Sequence, residues 1–219
     1  MTKEEKIYYT PKQELANVLS HGIGILFCWI ALPILYSLAA QKSVSDFTWL
    51  TIVVYGVSLM LVYINSTVYH ALVNKQTKAV FQKLDHISIY LLIAGTTSYF
   101  VYHYAPKNTA FIFIGVQWLL VLGGIIFKIF LTGKFKYLST FIYLALGLMV
   151  IVIIRPMYAN LTADVLFWIV SGGFCYVGGT YFYLSKRYYY QHAIWHLFVL
   201  GGSISHYIAM LYSLRYLYP

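Results

Sequence analysis

Seven predominantly apolar stretches, each of about 20 residues, dominate this chain. They run approximately over residues 15–40, 47–73, 84–104, 109–132, 137–154, 163–184 and 191–217, separated by short breaks rich in Lys, Pro and turn residues. A stretch of that length and character spans a bilayer as an α-helix, because a helix satisfies its own backbone where no water is present. A strand barrel would need segments near ten residues with strict alternation, and "FIFIGVQWLLVLGGIIFKIFL" does not alternate. The whole chain is 61% hydrophobic and 10% charged, whereas a soluble domain is closer to half apolar and a quarter charged. The expectation is an all-α membrane protein: a seven-transmembrane-helix bundle, multi-pass in the cell membrane, with the lipid bilayer as its solvent.

The 15 Lys and Arg against 6 Asp and Glu give a net charge of +9. In short loops such charge sets orientation and does not bind nucleic acid, so no nucleic-acid partner is expected. The N-terminus and the second, fourth and sixth connections carry Lys3, Lys6, Lys12, Lys75, Lys78, Lys83, Lys128, Lys134, Lys136, Lys186 and Arg187. The other side carries Lys42, Lys107, Arg155 and Arg215. Eleven against four places the N-terminus in the cytoplasm and the C-terminus outside. The opening "MTKEEKIYYTPKQE" mixes both signs and lacks an apolar core, so no cleaved leader is expected. Residues 1–14 read as a cytoplasmic segment and 15–219 as a single membrane domain. Cys28 and Cys175 fall inside apolar runs and read as reduced packing residues. Gly147, Gly173 and Gly178 or Gly179 are expected to allow close helix approach, and Pro33 to kink the first span. The Tyr-rich "KRYYYQ" reads as part of an interfacial belt.

Polar groups at membrane depth are costly and normally face the bundle interior. "QHAIWHLFVLGGSISHY" opens the last span with His192 and His196, four apart and so on one helix face. Ser66 and His70 share a face near the cytoplasmic end of the second span. Asp85 and His86 open the third, and Glu14, Asn17 and His21 lie at the start of the first. Four helices thus bring polar residues to one side of the membrane. Three imidazoles and a carboxylate suit Zn²⁺, the i, i+4 pair giving two ligands and a neighbouring helix the third. The same set also suits iron or manganese. Asp85 is placed to hold a water on the ion or to act as base toward it, and Ser66 to donate a hydrogen bond to a ligand or a developing oxyanion. His206 lies about 15 Å deeper than His196 and reads as a buried polar contact or cavity lining. His86 points about 100° from Asp85, which argues against both serving one ion. His21 and Glu14 read either as support for the ligands or as packing.

"ELANVLSHGIG", "STVYHAL" followed by "FQKLDHISIYLLIAGTTSYF", and "HAIWHLFVLGGSISHY" resemble the hemolysin III family of bacterial membrane proteins. That family is similar to the progestin and adipoQ receptors, which include the adiponectin receptors. The resemblance covers nearly the whole chain. It implies seven spans with the N-terminus inside and one zinc ion held by His70, His192 and His196, with Asp85 reaching the metal through water and Ser66 nearby. It also implies a zinc-dependent, ceramidase-like hydrolase of a lipid amide or ester, acting on a membrane lipid and linked to membrane lipid homeostasis. Two alternatives accompany it: a haemolytic, pore-forming cytolytic protein, and a receptor or sensor of membrane state with structural zinc. A chain with seven spans has no soluble state from which a secreted toxin could insert, which sets the pore reading second. The long N-terminal domain of the receptor branch has no counterpart here, which argues against a protein-hormone ligand. No oligomeric state follows from the sequence.

Overall fold

The computed structural model describes residues 9–218. Residues 1–8, most of the expected cytoplasmic segment and including Lys3 and Lys6, lie outside the described residues, as does Pro219. Among the described residues all regular structure is helical. The helices are α1 (Pro11–Gln41), α2 (Asp46–Ala71), α3 (Lys75–Tyr104), α4 (Lys107–Leu131), α5 (Lys136–Leu148), α6 (Ile154–Tyr158), α7 (Ala163–Leu184) and α8 (Gln191–Leu217).

Helix starts follow local chemistry. Thr10 caps α1 through a reciprocal pair of bonds with Gln13, and Pro11 takes the first helical position, where a missing N–H costs nothing. Ser45, Asn74 and Thr162 cap α2, α3 and α7 with side-chain oxygens. Helix α1 continues through Pro33 to Gln41. The fifth apolar stretch is interrupted: Met149–Ile153 tightens into a 3₁₀ turn between α5 and α6. Pro156, inside α6, has no N–H to offer the Val152 carbonyl four residues back, which leaves that carbonyl, within the 3₁₀ turn, without its usual helical partner. Helix α3 begins nine residues before the expected boundary at 84, because Lys75, Lys78 and Lys83 end the apolar run without ending the helix.

Among the described residues six elements are long and apolar enough to cross a membrane: α1, α2, α4, the run Lys136–Tyr158, α7 and α8. The third expected span, α3, is the exception. It is 30 residues long, but its buried face carries Ser88, Thr96 and Ser98, and charged residues fill its first turns. The reason is position: α3 packs against α2, α4, α5 and α6, so its side chains meet protein and need not be lipid-like.

The bundle closes as a ring, α1 on α2, α2 on α3, α3 on α5, α5 on α7, α7 on α8 and α8 back on α1, with α4 outside against α3 and α5. Short connections make consecutive helices neighbours. Large apolar side chains such as Trp29, Phe130 and Phe174 face outward. Hydroxyl and amide groups are buried inside, where they find each other: Asn65 Nδ2 donates to Ser88 Oγ at 2.8 Å, and the Tyr99 and Tyr104 hydroxyls to Ser213 Oγ at 3.1 and 2.8 Å. These pairs sit within an otherwise apolar interior, because a polar group at membrane depth must find its partner inside the protein. The protein is a multi-pass integral membrane protein.

Two expectations are corrected. Gly147 and Gly173 are not close-packing sites; nothing lies within 4 Å of a Cβ placed there, and both border the central cavity. Of the expected glycines Gly179 is the tight one, its Cβ 2.7 Å from Trp195 and Phe198, and Gly24, which was not expected, is another, where a Cβ would sit 2.1 Å from the Tyr63 ring. Lys128, counted among the loop lysines, is buried in the last turn of α4 and donates to Ser139 Oγ at 2.7 Å.

Candidate metal centre

The C-terminal end of α2 and the N-terminal ends of α1, α3 and α8 meet at one end of the ring. His70 ends α2, and His192 and His196 occupy successive turns at the start of α8. Their ring centroids lie 5.0 Å (His70–His192), 5.3 Å (His70–His196) and 4.5 Å (His192–His196) apart. One ring nitrogen from each forms a set in which all atoms lie within 4.8 Å of one another, so His70, His192 and His196 could together hold a metal ion.

Hydrogen bonds assign the tautomers. Glu14 Oε2 lies 2.6 Å from His70 Nδ1, while Lys78 Nζ donates to Glu14 Oε1 at 2.8 Å. A carboxylate bound to an ammonium is ionised and only accepts, so His70 Nδ1 carries the proton. Its Nε2 keeps the lone pair, is buried, and has no hydrogen-bond partner among the described residues. At His196, Ser20 Oγ gives its proton to Asn17 O at 2.9 Å and therefore accepts from His196 Nδ1, also at 2.9 Å. Asn17 O lies 3.3 Å from the same nitrogen. Again Nδ1 donates and Nε2 is left as the ligand atom. Locking one imidazole nitrogen so that the other is a bare donor is the arrangement metal-binding histidines use. Donors around a tetrahedral ion at about 2.0–2.1 Å sit about 3.4 Å apart, so small side-chain rotations close the set. The residues present fit a divalent ion with a preference for imidazole.

Asp85 is outside this close set, but it lines the same cavity as His192, His196 and Ser66. Ser66 Oγ is buried without a hydrogen-bond partner among the described residues. The cavity is about 180 Å³ and largely apolar. It is walled by α1, α2, α3, α5, α7 and α8, and it reaches His206 at depth. His206 Nε2 donates to Ile169 O at 3.1 Å, which makes it both a buried contact and a lining residue. His86 shares the cavity with Asp85 even though the two point apart on the helix. His21 stacks on His196 with centroids 3.6 Å apart, and neither of its nitrogens has a partner among the described residues.

Glu14, Asn17 and Ser20 are the supports that sequence reasoning left open or passed over. Glu14 was readable only as support or packing, and Ser20 gave no signal of its own; its place, one residue before His21 on the face turned to α8, appears only when α1 and α8 are packed.

Comparison with known proteins bears on the same residues. The family model described as Haemolysin-III related matches residues 9–207. The chain is 40% identical over 204 residues to the Hemolysin-3 homolog of Bacillus subtilis (strain 168), covering 93% of this chain and 95% of that protein. It is 39% identical over 201 residues to Hemolysin-3 of Bacillus cereus, covering 92% and 91%. It is 28% identical over 214 residues to the human Monocyte to macrophage differentiation factor, covering 94% and 85%. No solved structure matches the chain. With the match running through α1 and α2 to the histidines of α8, the chain belongs to the Haemolysin-III-related family.

Proposed function

We propose that this protein is a zinc-dependent hydrolase of a lipid amide or ester, working at the cytoplasmic side of the membrane in lipid homeostasis. The observation that carries the reading is the donor set of His70, His192 and His196, within 4.8 Å, beside an apolar cavity that also holds Asp85 and Ser66. When bound, a zinc ion supplies Lewis-acid polarisation of a carbonyl and acidifies water. Glu14 and Ser20 fix two of the three rings. Asp85 orients the attacking water and takes its proton on the carboxylate. Ser66 Oγ, otherwise unpartnered, donates to the substrate oxygen as negative charge gathers there. The cavity receives the hydrocarbon part of the substrate and excludes bulk water.

The same proposal takes α3 as a seventh span, 15–219 as one membrane domain and 1–14 as a cytoplasmic segment, with the C-terminus outside. The histidine end of the bundle is the lysine-rich end. Without the buried Lys128 the count is still ten against four.

The test uses full-length protein in lipid nanodiscs with ceramides and lysolipids. Release of fatty acid, abolished by a chelator and by His192→Ala or His196→Ala, is expected; undiminished release from those variants refutes the reading. The names of the Bacillus relatives favour a haemolytic alternative. Protection of erythrocytes by polyethylene glycols above a sharp size limit is the outcome that would support a pore over a hydrolase.

A further inference from the structure

The short segment before α1 does more than lead into the membrane. Tyr9 lies over the histidines, its ring centroid 5.8 Å from that of His70 and 5.2 Å from that of His192. What holds it there is a strap. Thr10 Oγ1 is hydrogen-bonded to the Tyr189 hydroxyl at 2.7 Å, and Gln13 Nε2 donates to Tyr189 O at 2.6 Å. Thr10 and Gln13 are in turn bound to each other by the capping box of α1. Both anchors therefore converge on Tyr189, three residues before His192. The Tyr-rich "KRYYYQ" connection, which composition alone reads as an interfacial belt, is here the hook for the strap.

We infer that Tyr9 is a further positioning residue of the histidine centre: its ring roofs the donor set on the side away from the central cavity and limits exchange with the aqueous phase. The chemistry is simple. An aromatic ring is an inert cover that neither competes as a ligand nor needs hydrogen bonds across its face. Its neighbours Glu14 and Lys78, on the same rim, are engaged with His70 and with each other. The strap joins the start of α1, which carries Glu14 and Ser20, to the connection into α8, which carries His192 and His196. One displacement thus uncovers the ligands and loosens their supports together. A lipid arriving through the central cavity does not have to pass the roof; ions and water-soluble reagents do.

This inference rests on the metal-centre reading for its consequence, but its test does not. In metal-free full-length protein in nanodiscs, carbethoxylation of His70 and His192 by diethyl pyrocarbonate is followed by peptide mass spectrometry. Tyr9→Ala is expected to react at least about fivefold faster than the parent, the scale of losing an aromatic contact. Tyr9→Phe, which keeps the ring, is expected to react within about twofold of the parent. Equal rates for Tyr9→Ala and the parent overturn the roof, as does a Tyr9→Phe rate matching Tyr9→Ala. Unchanged carbethoxylation of His103, at the far end of the bundle, shows that the variant is folded. In zinc-loaded protein the parallel readout is the rate of ion loss to excess chelator, expected to rise in Tyr9→Ala. A parent that binds no zinc sinks the metal-centre reading while leaving the carbethoxylation result to decide the roof.

Discussion

Replacing Glu14 with Gln removes one charge and keeps the shape. In the parent, one carboxylate oxygen accepts from His70 Nδ1 at 2.6 Å and the other from Lys78 Nζ at 2.8 Å. The glutamine oxygen can still accept from one of them, but the amide nitrogen repels the other, and the ring loses the anion that raises the basicity of Nε2. Disturbing a carboxylate behind a ligating histidine costs about 10–100-fold in metal affinity, or roughly 1.4–2.7 kcal/mol. Fold stability should change less. The Glu14 and Lys78 side chains are 20% and 24% exposed, and a pair in that setting is worth about 1 kcal/mol or less. The assay is competition for zinc against a chromophoric chelator at fixed pH and ionic strength. Lys78→Met provides the control, because Lys78 makes its hydrogen bonds to Glu14 and Leu72 O and none to His70; its effect should stay under about fivefold. An affinity for Glu14→Gln within twofold of the parent, or a larger loss for Lys78→Met than for Glu14→Gln, refutes the orienting role.

Other outcomes follow from packing. Gly24→Ala places a Cβ 2.1 Å from the Tyr63 ring and should cost about 1–3 kcal/mol, read as a lower thermal midpoint in detergent. Gly147→Ala meets open space and should leave the midpoint level or raised, since Ala is the better helix former by about 1 kcal/mol. Lys128 is a buried cation with a hydrogen bond to Ser139 and no ion pair among the described residues. Lys128→Met removes the cost of burying that charge and should leave the midpoint level or raise it; a lowered midpoint would show that the hydrogen bond to Ser139 and the Tyr143 ring, 5.5 Å from the ammonium, outweigh that cost.

Much of the bundle could be read from the chain because a bilayer imposes one rule on every span: long, apolar and helical. The observed α1, α2, α4, α7 and α8 fall within a few residues of the apolar runs. The rule weakens where protein replaces lipid. Helix α3 is surrounded by other helices and mixes in hydroxyls, so its polar first turns hid where it begins. The 3₁₀ turn at Met149–Ile153 lies within an unbroken apolar run, which the apolar count passes over. At the site, the i, i+4 spacing of His192 and His196 and the Ser66–His70 pair were legible because a single helix fixes them. The contacts of Glu14 with His70, 56 residues apart, and of Ser20 with His196, 176 apart, depend on which helices become neighbours. No local pattern carries that. The lysine count misassigned Lys128 for the same reason: a Lys near a helix end is ordinarily solvated, and only its packing beside Ser139 shows otherwise.

The account stands on two helices, α2 and α8, presenting bare imidazole nitrogens to one point. Elemental analysis of the purified protein, alongside His70→Ala, His192→Ala and His196→Ala, reads that directly. One zinc per chain in the parent, lost in each of the three variants, is the expected result. A parent free of metal after zinc loading, or variants that keep a full complement, would contradict it.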